Sequence, residues 1–420
     1  MQTNLADWIK DTPEGLEADS ILRKCVHCGF CLATCPTYNL LGDELDSPRG
    51  RIYLMKQMLE GEPVTAKTQL HLDRCLTCRS CESTCPSGVQ YGRLVDIGRE
   101  LVEKKVGRGF AEGIKRKVLK HALPQTALFS IGLSVGRAMK AHLPALLPTS
   151  LAKKIPAKRD AGLRPGPRHA RRMLVLEGCV QPAMAPAINA ATARVLDKLG
   201  VSLIAARGAG CCGAIPHHLN DPHQSHAFIK RNIDAWWPDV EAGAEAIVVT
   251  ASGCGTMVAD YGYLLRNDVA YAEKACKVSA LFRDVSQVIA AESAALSKLL
   301  AATNPARTRI AFHSPCSLQH GLKIRGVVEG LLRDAGCELT AVPDGHLCCG
   351  SAGTYSLLQR ELSQQLLANK VKALESGAPQ LVATANIGCL AHIEGGLNAS
   401  SQTPIRHWIE VIDERLAGAQ

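Results

Sequence analysis

Eight of the 18 cysteines in this 420-residue chain fall into two runs of identical spacing. Cys25, Cys28, Cys31 and Cys35 lead into Pro36, and Cys75, Cys78, Cys81 and Cys85 lead into Pro86, each in the order C-x₂-C-x₂-C-x₃-C-P. Three thiolates at this spacing can wrap one face of a four-iron cube. The fourth, set off by an extra residue and a proline, reaches a neighbouring cluster. The spacing assigns Cys25, Cys28, Cys31 and Cys85 to one [4Fe–4S] cluster and Cys75, Cys78, Cys81 and Cys35 to a second. Zinc is the competing reading, but a structural zinc site needs only four ligands in two pairs. It gives no reason to repeat four cysteines and a proline twice.

The opening MQTNLADWIKDTPEGLEADS has no apolar h-region or small-residue cleavage site. The cysteines are therefore expected in a reducing, cytoplasmic compartment, where such density signals metal or redox chemistry rather than disulfides. Apolar residues make up 46% of the chain, enough for ordinary cores and too few for a polytopic membrane protein. Aromatics at 4% argue against a stacking platform for single strands, so no nucleic-acid partner is expected.

The formal charge of +9 is local, because residues 99–172 hold 18 basic and 4 acidic residues and the remainder sums to −5. PGPRHARR, Lys153-Lys154 and Lys158-Arg159 give this stretch the look of a surface linker. Its apolar part is interrupted by Arg137, Lys140 and His142 and bracketed by Pro124, Pro144 and Pro148. With no 18-residue uncharged apolar run, a spanning helix is not expected; either a helix packed on the rest of the chain or a cationic interfacial helix fits. Lys115 to Lys154 is the stretch expected to dock a partner or a membrane face.

The second half repeats itself. Cys179, Cys211, Cys212 and Cys254 recur as Cys316, Cys348, Cys349 and Cys389 at offsets of 135–137, and a glycine follows each Cys-Cys pair. RRMLVLEG, AEAIVVTASG, TRIAFHSP and QLVATANIG read as strands ending near Cys179, Cys254, Cys316 and Cys389. Longer helical segments separate or follow them. Such alternation implies a parallel sheet in each repeat, with the cysteines beyond the strand ends where ligands bind. The expected fold class is α plus α/β. A helical two-cluster domain over 1–98 and a basic helical linker over 99–171 precede two cysteine-rich repeats, at 172–300 and 301–420.

The 39 residues between the two runs include SPRGRIYLMKQMLEG, a capped helix that a compact ferredoxin hairpin lacks. This arrangement resembles the helical ferredoxin domain of succinate dehydrogenase-type iron–sulfur subunits. Arg49 and Arg51 either donate hydrogen bonds near a cluster, raising its potential, or are simply solvated. The repeated pattern resembles the CCG domain of heterodisulfide reductase-like proteins, whose last element is C-x-x-C. Here Met257 and His392 stand where the final cysteine would be. Four thiols per repeat can still hold a third centre, with His392 as a fifth, harder ligand. Alternatively they line a degenerate pocket used for packing or docking. Cys276 and Cys337, outside the pattern, are expected to be buried small hydrophobes. His217, His218, His313 and His320, near the repeat cysteines, are read as satisfied polar residues.

No Ser/His/Asp ordering, Walker loop or dinucleotide fingerprint is present, so no catalytic residue is assigned. Over nearly its whole length the chain resembles iron–sulfur subunits of glycolate oxidase, through GFCLATCPTYNLLGDELDSPRGRIYLMKQ, HLDRCLTCRSCESTCPSGVQYGRL, NIDAWWP, TASGCG, HLCCGSAGTY and TANIGCLAH. The resemblance implies an electron-transfer subunit of a CH–OH oxidoreductase. Two FAD-type partner subunits would hold FAD, which this chain does not, and oxidise glycolate to glyoxylate; the quinone pool would be the terminal acceptor. It also implies peripheral contact with the cytoplasmic face of the inner membrane. Iron–sulfur subunits of D-lactate or glycerol-3-phosphate dehydrogenases, and a thiol/disulfide redox enzyme, are the alternatives.

Overall fold

The computed structural model describes residues 1–142, 155, 157, 159–303 and 307–418. Pro144, Pro148, Lys153, Lys154 and Lys158 lie outside them. The first hundred residues are helical. Pro13–Lys24, Pro48–Leu59, Ala66–Asp73 and Tyr91–Val106 surround a core of Ile21, Leu22, Met55, Leu59, Leu72, Leu94 and Val95. The helix starts are written in the sequence. Thr12 and Ser47 each accept an amide hydrogen bond ahead of a proline at the first helical position. The last of these helices runs through position 98, so the cluster domain and the basic segment share one continuous element. Two more helices follow, Phe110–Ala122 and Thr126–His142.

Each repeat then builds a four-stranded parallel sheet. The first holds β1 (Arg171–Val175), β2 (Val201–Ile204), β3 (Ile247–Val249) and β4 (Phe282–Asp284) in the order β2-β1-β3-β4. The second holds β5 (Thr308–His313), β6 (Cys337–Leu339), β7 (Leu381–Thr384) and β8 (Ile405–His407) in the order β6-β5-β7-β8. Leu174 pairs with Ile247 in one, and Ala311 with Val382 in the other. Registers and strand orders therefore coincide, as duplication of one unit requires.

The apolar runs of β1, β3, β5 and β7 are almost wholly buried because helices cover both faces. The edge strands β2, β4, β6 and β8 are only three or four residues long, too short to give a periodic signal. The repeats share one core, to which Val195, Leu196 and Val248 of the first and Leu332, Val382, Trp408 and Ile412 of the second all belong.

Candidate iron–sulfur centres

In both N-terminal runs the residues flanking the second cysteine turn left-handed: His27 and Gly29 at φ 55° and 85°, Thr77 and Arg79 at 52° and 58°. These reversals curl the chain so that successive thiols face inward. For the non-glycine residues each costs about 1–2 kcal/mol, which surrounding contacts offset. Arg99 supplies such contacts to the second loop, donating to Thr77 Oγ1 at 2.9 Å, Leu72 O at 2.8 Å and Cys75 O at 2.6 Å. Cys25, Cys28, Cys31 and Cys85 come together around one cavity. Cys35, Cys75, Cys78 and Cys81 line the next, and Cys81 and Tyr91 form the wall between them. Each run thus sends its fourth cysteine, Cys35 or Cys85, to the cavity lined by the first three of the other run, and Cys81 borders both cavities.

The surroundings fit a metal–sulfide core. Burial and neighbouring thiols push Cys31 up to about 11, and burial drives Cys78 and Cys81 well above the ordinary thiol range. These side chains hold negative charge only beside a strong cation. Positive charge waits at both cavities. Arg49 lines the first, and its Nε donates to Glu44 at 2.8 Å. Arg51 lines the second and is 1% exposed, with Nη1 4.0 Å from Cys35 Sγ. Its fork also donates to His71 O at 2.7 Å, Thr37 Oγ1 at 3.1 Å and Asp46 Oδ1 at 3.2 Å. Arg51 is thus a fixed buried cation rather than a solvated surface residue.

In the repeats, each vicinal pair follows the second strand, and its glycine sits at φ +90° (Gly213) or +89° (Gly350). The backbone of the next long helix crosses close by, and the glycine carbonyl accepts from Ser225 or Ser363 at 3.0 and 2.8 Å. A Cβ at Gly350 would lie 2.7 Å from Ser363 O. Both the backbone angle and the close approach explain the third letter of CCG. The glycine amide donates to the first sulfur of each pair at 3.4 Å. Cys179, Cys211, Cys212 and Cys254 form one chain of contacting thiols, and Cys316, Cys348, Cys349 and Cys389 form another.

Three expectations need correction. His392 Nε2 lies 3.3 Å from Ser363 Oγ, whereas it is His313 that converges with Cys349 and Cys389. His313 is 2% exposed, and among the described residues neither ring nitrogen meets the geometry of a hydrogen bond. Buried polar atoms are normally satisfied, so the reading of His313 as a satisfied histidine fails. Cys276 is exposed on the outer side of its helix, while Cys337 is buried as expected. Of the other histidines, His320 contacts Ser83 Oγ and His346 O at 2.9 Å each, His217 lies 3.4 Å from Asp96, and His218 meets the His217 ring edge-on at 5.4 Å.

The centres are not isolated. Cys78 of the second cavity shares an apolar cluster with Leu76, Cys316, Cys348, Tyr355, Leu362 and Leu366. Tyr355 also donates to Arg74 O at 3.2 Å. Toward the first repeat, Arg79 and Arg93 both pair with Asp260, at 3.3 and 2.7 Å, and Arg93 stacks on Tyr263. No sequence signal marked these interdomain arginines.

The basic helices face opposite to an ordinary amphipathic helix. In Phe110–Ala122, buried Arg116 turns inward to Asp73 at 3.2 Å, and Lys120 pairs with Asp221 at 2.7 Å. Phe110, Ile114 and Val118 are exposed. Thr126–His142 has no buried residue and presents Leu128, Ile131 and Val135. Exposed apolar residues therefore share the outer face with exposed cations such as Lys117 and Lys140. Among the described residues no helix is long and apolar enough to cross a membrane.

Comparison with known proteins agrees with this architecture. Residues 21–89 match the 4Fe-4S dicluster domain family, and residues 173–259 and 310–394 each match the cysteine-rich (CCG) domain family. The glycolate oxidase iron–sulfur subunit of Escherichia coli is 54% identical over 99% of both chains. The probable glycolate oxidase iron–sulfur subunit of Bacillus subtilis is 30% identical over 90% of this chain and 89% of its own. Lactate utilization protein A of Bacillus subtilis is 26% identical and aligns with 54% of this chain and 93% of its own. Helical cluster-binding loops followed by two CCG sheets, with full-length similarity on top, place this chain in the family of glycolate oxidase iron–sulfur subunits.

Proposed function

We propose that the chain is the electron relay of a glycolate-oxidising complex, holding one [4Fe–4S] cluster on Cys25, Cys28, Cys31 and Cys85 and a second on Cys75, Cys78, Cys81 and Cys35. The observation that carries this is the pair of adjacent cavities, one lined by Cys25, Cys28, Cys31 and Cys85 and the other by Cys35, Cys75, Cys78 and Cys81, with Pro48, Cys81 and Tyr91 bordering both. When bound, such clusters pass single electrons, so two in series divide the pair that a flavin delivers. The residues of this chain orient and tune the centres. The left-handed loops aim the thiols, Arg99 locks the second loop, and Arg49 and Arg51 place positive charge beside each cavity. FAD and the glycolate site belong to two partner flavin subunits, and electrons leave toward a membrane quinone. Replacing Cys31 or Cys81 by Ser is expected to remove one cluster and stop quinone reduction while flavin reduction by glycolate persists. Normal turnover in both variants overturns the relay.

The outward apolar residues of Phe110–Ala122 and Thr126–His142 support peripheral seating on the cytoplasmic side of the inner membrane, with exposed Lys117 at the headgroups. The complex is expected to co-sediment with anionic vesicles at low salt, and Ile131→Asp to weaken that binding. Failure of the native complex to bind at low salt removes this placement.

A further inference from the structure

Among the described residues three tyrosines are buried, and two of them have ordinary partners: Tyr261 donates to Cys212 O at 2.8 Å and Tyr355 to Arg74 O at 3.2 Å. Tyr91 is the exception. It is 4% exposed, and among the described residues its hydroxyl meets the geometry of no hydrogen bond. A phenol oxygen taken out of water is normally paired, because a dry, unbonded hydroxyl loses its hydration without replacement.

The place of this orphan gives it meaning. With Pro48 and Cys81, Tyr91 borders both cavities, and it belongs to the same core as Cys25, Cys75 and Cys81. The backbone beside it is pinned. The Tyr91 amide donates to Val89 O at 2.9 Å, and the Gly92 amide donates at 2.5 Å to Glu82 Oε1, on the Ser80–Thr84 turn that carries Cys81. The hydroxyl is not shared equally between the cavities. Burial apart, the groups that press most on the phenol are Cys75, Arg51 and Cys81. Of these, Cys75 and Arg51 line the second cavity and not the first. A guanidinium has donors and no acceptor, so the hydroxyl hydrogen turns away from Arg51 and toward the sulfur. At the first cavity the nearby cation, Arg49, is already held by Glu44 at 2.8 Å.

We propose that Tyr91 is a positioning residue that sets the order of the relay: its hydroxyl donates to Cys75 Sγ once that sulfur is a thiolate ligand of the second cluster, and it makes no such bond to the first. This rests on the two-cluster reading above. A free thiol is a weak acceptor, which leaves the hydroxyl an orphan. A ligand thiolate is anionic, and the same pair then becomes a charge-assisted hydrogen bond. Such a bond strengthens as negative charge builds on the sulfur, so it favours the reduced form and raises the potential. The second cluster then lies above the first. An electron entering at the exposed first loop runs downhill past Tyr91 toward the repeats.

The test is a redox titration followed by electron paramagnetic resonance on the anaerobically purified native complex and on Tyr91→Phe, which removes the oxygen and keeps the ring. Both are expected to hold the same iron, at least about eight per chain. The second cluster of Tyr91→Phe is expected to be about tenfold harder to reduce, a fall of about 59 mV for one electron, with the first cluster unchanged. Variants lacking one cluster assign the signals. The fall is expected when Tyr91→Phe is combined with Cys31→Ser and is absent when it is combined with Cys78→Ser. A merely structural tyrosine leaves both midpoints in place or loses iron on substitution, and either result overturns the proposal. A fall confined to the first cluster, or equal in both, overturns it as well. Native complex with clearly fewer than about eight iron refutes the two-cluster reading itself, and this proposal with it, before any variant is made.

Discussion

Removing the charge of Arg51 isolates its effect on the cluster proposed for the second cavity. Its Nη1 lies 4.0 Å from Cys35 Sγ. At an effective dielectric of 20, a unit charge at that distance is worth about 4 kcal/mol, or about 170 mV for a one-electron couple. Spreading of the added electron over the cube, and the Asp46 carboxylate 3.2 Å from Nη2, cut this by about half, to roughly 80 mV. The reduced cluster is the more negative form, so the arginine raises the potential and Arg51→Met lowers it. Asp46 keeps Arg74 at 2.8 Å and His71 at 3.2 Å, which holds the stability loss near the lower end for a broken buried pair, about 3 kcal/mol. Arg51→Lys retains the charge and is expected to show a smaller shift. The assay is a redox titration followed by electron paramagnetic resonance on protein with its full iron content. A midpoint that rises, or moves by less than about 20 mV, refutes the electrostatic account.

Gly350→Ala is expected to destabilise more than Gly213→Ala. Both sit at positive φ, costing about 1–2 kcal/mol, but a Cβ at Gly350 meets Ser363 O at 2.7 Å and Leu366 Cβ at 2.9 Å, against 3.1 Å at Gly213; equal losses in melting temperature would contradict the helix-approach argument. Asp284, which caps the helix Val285–Ala291, is pushed up to about 6 by burial. A raised carboxyl pKa means the folded state binds the extra proton, so stability falls as pH rises from about 4 through 6, by about 3 kcal/mol in all and about 1.4 kcal/mol between pH 5 and 7.5. Asp284→Asn keeps a capping oxygen and removes that slope; urea titrations at the two pH values that still differ by the native amount would show the slope lies elsewhere. His407, at the equivalent end of β8, is held down to about 4 by burial, so its contribution runs the other way and is lost as pH falls from about 6.5 toward 4.

Much of this organisation is legible in the sequence because the signals are covalent or periodic. The crossing of the two cysteine runs follows from residue counting, since the extra residue before Cys35 and Cys85 sets each apart from its own run and toward the other cavity. The central strands follow from continuous apolar runs that only a doubly covered sheet buries. The edge strands escape because three or four residues carry no period. The histidine assignment failed for a related reason. Counting from the missing C-x-x-C element leads to His392, but nearness to the thiols is set by strand ends, and His313 converges with Cys349 and Cys389 from the end of β5. The useful signal was present in the repeat itself, as a histidine where its partner has Leu176.

The arginines of the second loop show how function can be placed between domains without a motif. Arg79 is left-handed at φ 58° because it stands where Gly29 stands in the first loop, yet it keeps a long side chain. The strain places its guanidinium beside Asp260 of the first repeat, where Arg93 joins it. Four residues on from Arg79, Ser83 contacts His320 of the second repeat, and Cys78 enters that repeat's apolar cluster. One cluster-binding turn is therefore clamped by both CCG units at once, whereas the first loop leaves Val26 and Phe30 exposed. In the proposed relay this asymmetry gives direction. The loop open to solvent is the one a flavin subunit can approach, and the clamped loop passes electrons inward to the rest of the chain.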